Sequence, residues 1–171
     1  MATTRTSNSR TVGWLFVVAG VLYLLELLLS HVGHSGKLDS WLLFFAYAVL
    51  AVGFVLLFLW RSVDILLRVA FIVAAVGWAI LAIAAVASVG GGLVVIGEIL
   101  ALIGTLVAGI TVFMRGIFTR RGALAFLIFA ILAALLLLLA LTGFLASIAF
   151  VLAILFGVAL VITGVLVARR Y

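Results

Sequence analysis

Glu26 and Glu98 stand inside long runs of Leu, Val, Ile and Ala, and only two other acids, Asp39 and Asp64, occur in the chain. A carboxyl group in such surroundings can carry a proton, bind a cation or bind a cationic substrate. Polar groups cluster by position around the first of them. Tyr23 and Ser30 flank Glu26, and the only two histidines, His31 and His34, follow directly. Thr105 lies on the same helical face as Glu98, seven residues on. Tyr23, Glu26, Ser30, His31, His34, Glu98 and Thr105 are therefore the candidate polar or ion site. The competing reading is structural: each glutamate is protonated, or hydrogen-bonded to Ser, Thr or backbone, and only helps helices pair.

Other chemistry has little to stand on. His31-x-x-His34 with a nearby Glu offers three ligands to a zinc-like ion, but spacing in a Gly-containing loop is a weak signal. A haem would need histidines within the spans. The absence of cysteine removes disulfides, thiol nucleophiles and iron–sulfur ligation. HExxH, GxSxG and Walker patterns are also missing. The expectation is a protein that is not an enzyme and has no cofactor and no metal.

The elements that must position these residues follow from composition. Of the 171 residues 70% are hydrophobic and 8% charged, with a mean hydropathy of +1.66. A soluble domain is about half apolar and about a quarter charged, so this chain cannot bury its apolar surface from water. Disorder is excluded on the same ground. The pI of about 11.2 does not signal nucleic acid, because Lys and Arg sit at the ends of apolar runs and share no face. The solvent is lipid.

A bilayer core of about 30 Å needs about 20 apolar residues in a helix. Runs that satisfy this occupy 12–30, 41–60, 69–88, 93–114, 123–141 and 144–168. Barrel strands would alternate in polarity, and Leu135 to Leu139 do not. The predicted fold is all-α: a polytopic membrane protein, a bundle of six transmembrane helices with short loops. Residues 1–11 read as a disordered cytoplasmic polar tail, 12–168 as one transmembrane domain and 169–171 as a short cytoplasmic end. The first span is too long for a cleaved signal peptide and reads as a retained helix. Gly90, Gly91 and Gly92 read as a tight turn, as do Thr142 and Gly143. Asp39 reads as the N-cap of the second helix, and Asp64 as an ion-pair partner of the arginines beside it, Arg61 and Arg68.

Six spans put both ends of the chain on one side. Arg5, Arg10, Arg61, Arg68, Arg115, Arg120, Arg121, Arg169 and Arg170 all fall on that side, and only Lys37 falls on the other. Positive residues stay inside, so both termini are expected in the cytoplasm, at the plasma (inner) membrane of a bacterium. Trp14 and Trp60 fall near the inner interface and Trp41 near the outer one, whereas Trp78 sits mid-span and reads as a packed ring. At about 1.5 Å per residue, Glu26 and Glu98 share a depth of about 6–8 Å below the outer boundary.

Small residues mark where helices meet in lipid. Gly97, Ala101 and Gly104 run beside Glu98, and the last helix carries Ala153, Gly157, Gly164 and Ala168. Internal packing is the favoured use of these stripes over a homodimer. The fifth helix reads as the most lipid-exposed. Glu26 and Glu98 do not fall at matching points of two halves, so an inverted repeat has no support. The expected partners are membrane lipids, and beyond them a second copy or a larger membrane complex. The expected function is structural, accessory or partner-binding, with a small proton- or cation-linked transporter or channel using Glu26 and Glu98 as the alternative.

Overall fold

Lipid offers no partner to a backbone N–H or C=O, so each apolar run closes its own hydrogen bonds as a helix. The computed structural model describes residues 3–33, 37–59, 64–87, 90–142 and 146–169. They form α1 (Thr3–His31), α2 (Lys37–Phe58), α3 (Ile65–Val86), α4 (Gly91–Arg115), α5 (Arg120–Thr142) and α6 (Ala146–Ala168). All six contain a stretch long and apolar enough to cross a bilayer. No strand occurs among the described residues. The chain is a multi-pass integral membrane protein.

Several boundaries differ from the sequence reading, each for a local reason. The polar tail is helical from Thr3 onward; nothing in its sequence breaks a helix, which continues past the apolar run. Asp39 is not the N-cap of α2, which already begins at Lys37. Its carboxylate instead lies in the first turn, where the helix dipole favours negative charge. Gly91 and Gly92 belong to α4, with Gly90 as its N-cap, so the three glycines start a helix and are not a turn of their own. Asp64 is the N-cap of α3 and accepts a hydrogen bond from the Ile65 N–H at 2.8 Å. It also pairs with Arg115 at the end of α4, 2.8 Å away. Arg61 and Trp60 lie outside the described residues. Past Arg115 the chain leaves α4 at Gly116, whose φ of 59° is left-handed and suits a residue without a Cβ.

Each helix packs on its neighbours in chain order, and α6 closes the series against α1. The result is a six-membered ring of antiparallel helices. The closest approaches are made by glycine. Gly77 of α3 lies on the backbone at Ala101 of α4, and Gly104 of α4 on the backbone at Ala74 of α3; a Cβ at either would collide. Gly97 is covered by Ile80. On the closing seam a Cβ at Gly164 would meet the Gly13 carbonyl at 2.5 Å, and one at Gly157 would meet Leu24 at 2.6 Å. Gly13 in turn faces Ala168, and Ala153 is buried in the core. Both small-residue stripes are thus spent on neighbours within the chain. Of the six spans α5 is the least buried.

A ring this size leaves an axial space that only large side chains fill. Phe16, Phe54, Phe71, Phe126, Phe129 and Phe156 are all fully buried there. Phe16 reaches across from α1 to Phe126 and Phe129 of α5, at centroid distances of 5.9 and 6.1 Å. Phe54 of α2 reaches the same Phe126 at 6.2 Å, edge to face. Tilted and edge-on pairs of this kind add to the gain from burial alone. Trp14 and Trp41 are exposed near opposite ends of the bundle, as interfacial aromatic belts require.

Candidate functional site

The ends of α1, α3 and α5 and the starts of α2, α4 and α6 lie at one end of the bundle, here called the far end; the start of α1 and the end of α6 lie at the other, here called the terminal end. In the far half the aromatic packing opens into a cavity of about 410 Å³. All six helices line it: Tyr23 from α1, Tyr47 from α2, Trp78 and Leu81 from α3, Glu98 from α4, Leu136 to Ala140 of α5 in part, and Ala149 and Phe156 from α6. It is therefore the axial vestibule of the ring.

Four of those residues form a closed circuit of ring contacts. Tyr23 meets Tyr47 at 6.3 Å and Tyr47 meets Trp78 at 5.2 Å. Trp78 stacks with Phe156 at 6.1 Å, and Phe156 returns edge-on to Tyr23 at 5.0 Å. This circuit is the floor. Phe129 lies against Phe156 at 5.5 Å and continues into the phenylalanine plug. The vestibule is thus stopped toward the terminal end by aromatic side chains. Trp78 is 1% exposed, and its indole N–H donates to the Thr105 hydroxyl at 3.0 Å. That bond satisfies the donor where water is excluded and fixes the ring in the floor.

Glu98 is the acidic group on the vestibule wall. Its helix positions it well: Gly97, Ala101, Gly104 and Thr105 on the adjoining face are all buried. Tight packing of that face against α3 leaves Glu98, half-buried, at the edge of the seam. The wall therefore combines one carboxyl, two phenol groups and a large carbon surface.

The sequence-derived cluster is brought together only in part. Tyr23 and Glu98 share the vestibule. Thr105 is fully buried, and its hydroxyl is taken by Trp78. Glu26 is half-buried and does not line the vestibule, and α1 and α4 do not pack on each other. Ser30 is exposed. His31 is exposed too and stacks on Phe150 of α6 at 5.0 Å, on the outside of the ring. His34 lies outside the described residues. Among the described residues no three His, Asp or Glu side chains gather as a metal site.

Tyr47 and Phe156 are site residues that the sequence reading missed. A phenol in mid-span was the available signal for Tyr47, since a buried Tyr hydroxyl seeks a polar partner. Phe156 carries no such mark. No family model, curated protein or solved structure matches the chain.

Proposed function

We propose that the protein is a non-enzymatic membrane bundle whose task is binding, with the vestibule as its working part. One observation carries this reading: Glu98 opens into a cavity built by all six helices, and an aromatic floor stops that cavity half-way. A carboxyl group in an apolar chamber holds a cation or a proton. A conducting pore would need a continuous polar path, and phenylalanines occupy the axis instead. The arginine distribution supports cytoplasmic termini in a bacterial inner membrane, which turns the vestibule outward. Membrane lipids are its first partners. A second copy or a larger membrane complex would take up what the vestibule binds.

A second reading, a small cation- or proton-linked transporter, draws on the half-buried positions of both Glu26 and Glu98 within helices able to span the membrane. Proteoliposomes separate the two. Binding predicts sodium, rubidium and proton fluxes no greater than those of empty vesicles, in the wild type as in Glu98→Gln. A flux that Glu26→Gln and Glu98→Gln each abolish would replace the binding role with transport.

A further inference from the structure

The geometry points to a lipophilic organic cation, a substituted ammonium carrying an aromatic or branched apolar body, as the ligand of the vestibule. The inference rests on the reading of Glu98 as the binding carboxyl and names what it binds.

Charge is the first constraint. Glu98 is the acidic group of the wall, and among the described residues no Lys or Arg lines the cavity. An anion would meet repulsion there, and a neutral apolar guest would leave the carboxyl without a partner. The second constraint is dehydration. A bare alkali ion needs a shell of oxygens to replace its water. Among the described residues this wall supplies one carboxyl and the phenols of Tyr23 and Tyr47, the indole N–H of Trp78 is spent on Thr105, and the other lining side chains are carbon. Helical carbonyls at this depth are already engaged within their own helices. A substituted ammonium is weakly hydrated and needs no such shell.

The floor supplies what this ligand does need. Tyr47 and the edge of Tyr23 offer aromatic surface to the chamber beside the carboxyl, and Trp78 and Phe156, almost fully buried, close the circuit that holds those two rings in place. Aromatic surfaces attract quaternary ammonium groups, more strongly where water is excluded. Leu81, Leu136 and Leu137 give the apolar body of the guest a wall to bury against. At about 410 Å³ the chamber suits a molecule of one or two rings. Ala140 lines the cavity and is itself exposed, which puts it at the mouth.

Equilibrium dialysis of radiolabelled benzyltrimethylammonium against the purified full chain in dodecyl maltoside tests this. The expected result is saturable binding that weakens about tenfold or more in Glu98→Gln, where a charged partner is lost. Ala140→Phe, at an exposed position that leaves the packed core alone, is expected to weaken it comparably by narrowing the mouth. Labelled sodium and rubidium are the parallel arms. If they bind in a Glu98-dependent way and benzyltrimethylammonium does not, the ligand class is wrong and the binding role of Glu98 stands. If no cation binds, or if Glu98→Gln leaves the organic cation's affinity unchanged, both are overturned. Should Glu98→Gln fail to fold, unchanged affinity in Ala140→Phe overturns the vestibule as the site.

Discussion

The indole N–H of Trp78 on α3 donates to the hydroxyl of Thr105 on α4 across 3.0 Å, with neither side chain reached by solvent. It is a buried polar cross-link between two helices whose closest approaches are made by glycine and alanine. Thr105→Val keeps the shape and removes the acceptor. The expected cost is about 1–2 kcal/mol, between the average for hydrogen bonds in a membrane bundle and the penalty for a buried donor left alone. Thr105→Ser should recover most of it. Equilibrium unfolding in mixed micelles measures both, and a Val variant as stable as the Ser variant would remove the bond from the account.

Glycine at position 104 is required by distance, not by backbone conformation. A Cβ there would run into the backbone at Ala74. Gly104→Ala should therefore separate α3 from α4 and destabilise the bundle by about 1–3 kcal/mol, as overpacking does. Gly92 has nothing within 4 Å and lies in the first turn of α4, so Gly92→Ala should be neutral or slightly stabilising. Unfolding midpoints that move equally in the two variants would contradict the packing argument.

Asp64 does two things at once, and two substitutions separate them. It caps α3 through the Ile65 N–H and pairs with Arg115 on α4. Asp64→Asn can still cap and loses only an exposed pair worth about 0–1 kcal/mol. Asp64→Ala loses the cap as well, about 1 kcal/mol more. The Asn variant should match Arg115→Gln, and its difference from wild type should shrink in high salt. Equal losses in the Ala and Asn variants would show that the cap contributes nothing.

The chain has no cysteine, so single-cysteine topology mapping starts from the natural sequence. Lys37→Cys and Gly92→Cys lie at the far end, Arg121→Cys and Arg169→Cys at the terminal end, and all four native side chains are exposed. An impermeant maleimide added to intact cells should label the first two and reach the second two only after permeabilisation. The reverse pattern would turn the vestibule toward the cytoplasm.

Sequence and structure agree along each helix and part company around it. The six spans and the small-residue faces are readable, because length, polarity and a period of 3.6 residues are properties of one helix at a time. Membership of the vestibule was not readable in the same way. Ser30, His31 and Glu26 follow Tyr23 along the chain, yet only Tyr23 points into the axis, because the way α1 seats between α2 and α6 sets its rotation. Asp64 makes the same point at the other end. Its ion pair with Arg115, distant in sequence, is brought about by the packing of α3 on α4. Tyr47 and Phe156 gain their roles only from the circuit they close with Tyr23 and Trp78.

The seam between α1 and α6 has a consequence for biogenesis. Hairpins can enter the bilayer in the order in which the ribosome releases them, each leaning on the one before. The chamber cannot exist until the sixth helix emerges, because Phe156 and Ala149 arrive with it, and Gly157 and Gly164 must then seat against a partner made five helices earlier. Until that moment α1 waits with its glycine-bearing flank bathed in acyl chains, and the emergence of α6 is also the act that creates the pocket.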